Sequence, residues 1–277
     1  MPMSLFNAGG SDPPSVAILQ LSHLFRRAHN EPLLALENVS LTVAPGEFVS
    51  IVGASGCGKS TLLRLLAGLD QPTSGELCIS GAPPGQLLGA SGYMPQRDLL
   101  MPWRSVLDNA IVALEYASIP RRQARERASA LLPTFGLAGF EDAYPAALSG
   151  GMRQRVSLLR TIMTGKRLLL LDEPFGALDA ITRAELHEWL NNLLTELKAT
   201  VILVTHDLEE AAYLSDTVYV MSDRPGHIAD SVPIPLPRPR PYQIISSITF
   251  TACKHQLLDA LRQAHHTGAV AMLGRDR

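Results

Sequence analysis

Phe48-Val49-Ser50-Ile51-Val52-Gly53-Ala54-Ser55-Gly56-Cys57-Gly58-Lys59-Ser60-Thr61-Leu62-Leu63 is the stretch that decides how this chain folds. An apolar run leads into a glycine-rich segment, and Leu62-Leu63-Arg64-Leu65-Leu66 follows it. The order is therefore strand, loop, helix start, with every position of G-x-x-x-x-G-K-S/T filled, which is the P-loop arrangement. Gly53, Gly56 and Gly58 let the backbone wrap a phosphate, because a Cβ there would clash or forbid positive φ. The loop N–H groups and the positive end of the following helix then face the anion. The Lys59 ammonium is placed for β- and γ-phosphate and the Ser60 hydroxyl for Mg²⁺, so Gly53, Ala54, Ser55, Gly56, Cys57, Gly58, Lys59, Ser60 and Thr61 form a candidate nucleotide site. At a helix N-terminus the Cys57 thiol is expected to ionise readily, and ATP to protect it from alkylation.

The chain's 277 residues, 46% of them hydrophobic, suffice for the core of one or two domains. A net charge of −2 gives no global positive field, so nucleic acid is not an expected partner. The cluster Arg121, Arg122, Arg125 and Arg127, with Glu126 among it, reads as a solvated helix face. Cys57, Cys78 and Cys253 lie far apart, which argues against disulfides or a metal site and fits a reducing compartment. No run approaches the roughly 18 to 20 apolar residues that span a bilayer. Residues 1–15, rich in Gly, Pro and Ser, read as a disordered tail without the features of a signal peptide. The chain is expected in the cytosol, with any membrane role borrowed from a partner.

Short alternating segments from Val16 to Val43 read as strands, as do Glu76–Ile79 and Gly92–Met94. Phe25 lies among them, either as a half-buried strand aromatic or as a ring stacked on a base. Helical patterns follow over 105–117 and 121–132, an insertion within an α/β core. Leu148-Ser149-Gly150-Gly151 opens a further helix; Ser149 with Gly150 and Gly151 is either a plain cap or a second phosphate site. Leu168-Leu169-Leu170-Leu171 suits a strand buried on both faces of a parallel sheet. Asp172 and Glu173 fall at its carboxyl end, where such sheets place ligands. Asp172 suits the Mg²⁺ shell, and Glu173 suits orienting or deprotonating a water. A helix over 181–198 and the strand Val201–Val204 come next, and His206 at that strand's carboxyl end is placed to hydrogen-bond a γ-phosphate. Pro233 to Pro241 reads as an extended connector, and a last helix is expected over 249–264.

With Gln96, Leu148-Ser149-Gly150-Gly151, Leu171-Asp172-Glu173, Asp179 and His206 in this order behind the P-loop, the chain resembles the ATPase subunit of ABC transporters over roughly residues 16–240. The resemblance implies ATP and Mg²⁺ as cofactors, Phe25 as the adenine-stacking aromatic, Gln96 as a catalytic-site and Mg²⁺-sensing glutamine, and Asp179 as part of the nucleotide site. It assigns Ser149, Gly150 and Gly151 to the γ-phosphate of ATP held by the other subunit. It implies a P-loop NTPase (RecA-like) core with an N-terminal antiparallel β subdomain and an inserted α-helical signature subdomain. The expected divisions are core 16–96 and 165–230, signature subdomain 97–164, and connector with C-terminal helix 231–277.

Finer features are similar to the group importing nitrate, sulfonates, taurine or pyrimidine-type thiamine precursors: Leu99 to Asn109, Asp172-Glu173-Pro174-Phe175-Gly176-Ala177-Leu178-Asp179, Ser222-Asp223-Arg224-Pro225-Gly226 and Pro237-Arg238-Pro239-Arg240. Met152, Thr161-Ile162-Met163 and Gly165-Lys166-Arg167 depart from the family pattern. Implied partners are a second copy turned head to tail, a membrane permease docking near Leu99–Trp103 and, indirectly, a solute-binding protein. The expected place is the cytoplasmic side of the cell membrane. Two rivals differ in their needs: a P-loop kinase needs an acceptor site and no Leu-Ser-Gly-Gly, and an ABC-type ATPase of DNA or ribosomes usually carries two cassettes or a coiled coil.

Overall fold

The computed structural model describes residues 13–26, 32–80, 86–176, 178–197 and 199–273, with the backbone alone over 193–197 and 266–273. Most of the expected tail, together with Ala177 and Lys198, lies outside them. Alternation builds the first sheet: in β1 (Val16–Phe25) and β2 (Leu33–Val43), Val16, Ile18 and Leu21, then Val39, Leu41 and Val43, turn inward. Gln20, at φ 47°, sits in an irregularity that resets the register of β1. β3 (Phe48–Gly53) leaves this layer, and β4 (Ser74–Ile79) returns to it, pairing antiparallel with β1 so that Val16 lies between Val43 and Ile79.

The second sheet adds β5 (Gly92–Met94), β6 (Leu168–Asp172), β7 (Thr200–Val204), β8 (Thr217–Met221) and β9 (Ile228–Pro233) in the order β5-β6-β7-β3-β8-β9. Every pairing in it is parallel except β8 with β9. The four-leucine run is buried on both faces: Leu168 and Leu170 join the cluster beneath α1 (Lys59–Leu66) and the antiparallel sheet, while Leu169 and Leu171 join the cluster on the opposite face.

Between β5 and β6 lie α2 (Val106–Ala110), α3 (Val112–Tyr116), α4 (Arg121–Leu131) and α5 (Gly150–Ile162). The single helix expected over 105–117 is two short ones meeting at Ile111. Buried Asn109 fixes the turn before them, donating to the carbonyls of Met101, Arg104 and Ser105 at 3.0–3.2 Å. The Arg121 cluster is offset by acids: Arg121 reaches Asp108 and Glu115, Arg125 reaches Asp108, and Arg122 reaches Glu126. The departures at Thr161-Ile162-Met163 pack without conflict, all three side chains being buried.

α6 (Ala180–Leu197), α7 (Leu208–Leu214) and α8 (Ile248–Leu273) complete the chain. Two features differ from the sequence reading. An edge strand, β9, extends the sheet through Pro233, where the sequence Ile228-Ala229-Asp230-Ser231-Val232-Pro233 has no sustained apolar run. The proline-arginine run beyond it is no free connector, because Arg238 and Arg240 turn back onto the end of α7. Arg240, almost fully buried, donates to the carbonyls of Tyr213 and Ser215 at 2.9 and 2.7 Å and to Leu236 O at 3.0 Å. Arg238 donates to Leu214 O at 2.6 Å and to Asp216 at 2.8 Å. Two cations thus satisfy the orphan carbonyls and the negative end of the helix dipole.

Candidate active site

The P-loop joins β3 to α1 at the carboxyl edge of the large sheet. Gly58 precedes the helix at φ 115° and Gly56 stands at φ 78°, both in the region glycine enters without steric cost. Lys59, only 6% exposed, lays its Nζ 2.7 Å from the carbonyl oxygens of Gly53 and Ala54. Cys57 differs from the sequence expectation. It is 1% exposed, and burial pushes its thiol above the ordinary range, outweighing the opposite pull of Lys59. The helix terminus does not make it a reactive thiolate.

Asp172 ends β6 and is buried beside the loop. Burial raises its pKa, with the Ser60 hydroxyl lowering and the neighbouring Glu173 charge raising it further. Its Oδ1 is buried without a hydrogen-bond partner among the described residues, while the Ser60 hydroxyl reaches the same carboxyl group. An orphaned carboxylate oxygen beside a hydroxyl and a phosphate loop fits a hard divalent cation.

Glu173 follows in the left-handed region, φ 48°, rare for a residue with a side chain. Its N–H continues the sheet by donating to Val204 O at 2.8 Å, and buried Gln154 of α5 donates to its carbonyl at 3.2 Å. Those bonds hold the kink that turns the carboxylate into the open. Gln96 Nε2 donates to Glu173 Oε2 at 3.1 Å, and His206 Nδ1 lies 3.3 Å from Oε1. Three residues from three strand ends, β5, β6 and β7, therefore meet at one carboxylate.

A cleft of about 280 Å³ is lined by Phe25, by Ser55, Gly56 and Gly58 to Thr61 of the P-loop, and by Gln96, Glu173 and Arg224. Phe25, 37% exposed, stands edge-on to His23 at 4.7 Å and closes one end of it. Arg224 is the residue sequence reasoning missed. It donates to Gly56 O from Nε at 3.0 Å and from Nη2 at 2.5 Å. Its loop rests on β2 through Gly226, which donates to Ala35 O and accepts from Glu37 N, both at 3.0 Å. The signal was the Ser222 to Gly226 segment itself, which placed the chain in a group without naming a contact.

Ser149, Gly150, Gly151 and Asp179 do not line this cleft. Ser149 caps α5, its Oγ accepting from Met152 N at 3.2 Å, and it leaves the exposed helix start facing outward. Asp179 accepts from Thr182 N at 3.0 Å ahead of α6, and that N–H holds its carboxyl below the usual range. Arg153 and Arg160 tie α5 to the Asp98–Leu99 turn beyond Gln96, at 2.7 to 3.0 Å. On that turn's outer side Leu99 and Trp103 are exposed.

The family model described as ABC transporter matches residues 36–176. The chain belongs to the ABC transporter family. The cassette is 48% identical over 241 residues to the aliphatic sulfonates import ATP-binding protein SsuB 1 of Rhodococcus jostii, covering 83% of this chain and 88% of that one. It is 43% identical to the nitrate import ATP-binding protein NrtD of Synechocystis, covering 73% and 76%, and 40% identical to the taurine import ATP-binding protein TauB of Yersinia pestis, covering 78% and 84%. Among solved structures it is similar, at a TM-score of 0.73 and 30% identity over 79% of this chain and 98% of that one, to a dimeric post-hydrolysis ATP-binding cassette bound to ADP and Pi. No helix among the described residues is long and apolar enough to cross a membrane.

Proposed function

We propose that this cassette is the ATP-hydrolysing subunit of an importer, driving uptake of a small solute of the nitrate, sulfonate, taurine or thiamine-precursor type through a separate permease. The observation that carries this reading is the Glu173 carboxylate, held between Gln96 and His206 at the edge of the phosphate-loop cleft. The P-loop N–H groups and Lys59 bind the β- and γ-phosphates, and Phe25 stacks on the adenine. Ser60, Asp172 and Gln96 would hold Mg²⁺, which would neutralise charge on the phosphates. Glu173 takes a proton from the attacking water, and His206 donates to the γ-phosphate. A base so placed is worth about 10²- to 10⁴-fold in rate.

One protomer presents the P-loop in a cleft and Ser149-Gly150-Gly151 on an outward-facing helix start. A head-to-tail pair closes both sites, each ATP lying between one P-loop and the partner's Ser149, with Asp179 at the junction. The dimeric cassette structure and the import names of the relatives support the pairing and the transport role. Exposed Leu99 and Trp103 then offer an apolar seat for a permease helix on the cytoplasmic side of the membrane. The solute-binding protein is reached only through that permease. The test is Glu173→Gln: ATP binding stays, hydrolysis falls by about 10²-fold or more, and a nucleotide-bound dimer accumulates on size exclusion. Hydrolysis at the normal rate by that variant removes Glu173 from the mechanism.

A further inference from the structure

His206 lies between two residues that answer to one buried carboxylate. Thr205 Oγ1 donates to Glu210 Oε2, and the same hydroxyl oxygen accepts the Asp207 N–H at 3.1 Å. Glu210 N donates in turn to Asp207 Oδ1 at 3.3 Å. Residues 205, 207 and 210 thereby close a ring of hydrogen bonds around the backbone of His206. The second oxygen of Glu210, Oε1, lies 3.3 Å from Nε2 of His187 on α6, and both residues are 5% exposed. The His187 ring is itself fixed, edge-on to Phe175 at 4.6 Å and stacked with Tyr213 at 6.0 Å. Neither His187 nor Glu210 lines the nucleotide cleft.

Taking a carboxylate out of water is costly unless it is well partnered, and the helix needs nothing of the kind from Glu210. Asp207 already caps α7 by accepting from the N–H groups of Glu209 and Glu210. Glu209 supplies a first-turn acid for the dipole while pairing with Lys254. What the buried pair does secure is geometry: it ties the Thr205 hydroxyl, and through it the Asp207 N–H, to α6.

We propose that Glu210 and His187 are positioning residues that hold His206 in reach of the γ-phosphate by fixing Thr205 and Asp207. This rests on the reading of His206 given above. Because α6 begins directly after Asp179, the ring also ties His206 to the segment placed at the subunit junction, so that a shift of α6 reaches the histidine through one carboxylate.

The test uses Thr205→Val, which keeps the shape and removes both the donor to Glu210 and the acceptor for Asp207 N–H, with Thr205→Ser as the restoring variant. ATP affinity and steady-state hydrolysis are measured for the full chain, with and without His206→Ala. Thr205→Val is expected to lower kcat about ten- to a hundredfold at unchanged ATP affinity, as expected for a displaced catalytic group. Thr205→Ser keeps kcat within about threefold, and in the His206→Ala background Thr205→Val changes kcat by less than about twofold. His187→Gln reads the same ring from its other end and follows the same pattern. A multiplicative loss in the His206→Ala background, full kcat for Thr205→Val, or loss of ATP binding by both Thr205 variants overturns the proposal. Full kcat for His206→Ala alone overturns the role of His206 as well, which separates the two failures.

Discussion

Gly226→Ala puts a methyl group where the backbone of two loops meets. A Cβ built at Gly226 overlaps the carbonyl oxygen of Cys57, stands 3.2 Å from that carbonyl carbon and 2.6 Å from Cε of Met221. The methionine end can swing aside, but the carbonyl cannot do so alone. Gly226 is pinned on its other side to β2 by two backbone hydrogen bonds of 3.0 Å, whereas the Cys57 turn has one longer backbone bond of its own, Cys57 N to Ala54 O at 3.3 Å, its other ties being the side chains of Arg224 and Lys59. The phosphate loop is the softer partner and yields, by about 1 Å, with Gly56 drawn off its bond from Arg224. Overpacking of this kind costs about 1–3 kcal/mol. In the free protein the shift relieves it, and ATP, which needs the loop returned, meets the cost as lost affinity of about 5- to 150-fold. Equilibrium titration with ATP measures the affinity, and a thermal melt of the free protein is expected to move little. An ATP affinity within about twofold of the unaltered chain refutes the reasoning, because the loop would then tolerate the methyl without leaving its binding shape.

Asp172 holds its proton to higher pH than an ordinary carboxyl, chiefly through burial. In that window the folded state binds more protons than the unfolded one, so stability of the free protein falls as pH rises from about 4 through the raised value. Melts across this range should show the slope, and Asp172→Asn should flatten it. Cys57 should label with iodoacetamide only at the pace of a buried thiol, with or without ATP; rapid labelling in the native protein, followed by mass spectrometry, contradicts its burial and raised pKa. Arg240→Leu strips partners from the carbonyls of Tyr213, Ser215 and Leu236 and should cost about 3–5 kcal/mol in denaturant unfolding. A loss below about 1 kcal/mol would mean that water replaces the guanidinium.

What was legible in the chain was what local pattern determines. The four leucines of β6 announced a strand buried on both faces, and the glycines at 53, 56 and 58 announced the loop ahead of α1. The placement of Glu173 at a strand end followed from the same run, but its left-handed backbone did not, because Val204 and Gln154 impose it from distant parts of the chain. β9 escaped notice because an edge strand with one solvated face needs no apolar run, and Ile228 to Pro233 has none. Arg224, His187 and Glu210 escaped for a related reason: each acts on a loop far from it in sequence, and nothing in its neighbours says which. The Cys57 expectation failed because a helix terminus speaks for ionisation only where solvent reaches the sulfur.

The arginine pair after β9 has a bearing on the order in which the molecule is made. Among the described residues the carbonyls of Tyr213, Leu214 and Ser215 take side-chain donors from Arg238 and Arg240, so a growing polypeptide that has emerged as far as Ser215 still carries that helix unsealed. The phosphate loop waits on distant chain as well, because β3 pairs with β7 and β8 and Arg224 bonds the carbonyl of Gly56. A chain shortened before Pro237 lacks both guanidinium groups, and the helix that follows the histidine strand end loses the donors at its carboxyl terminus.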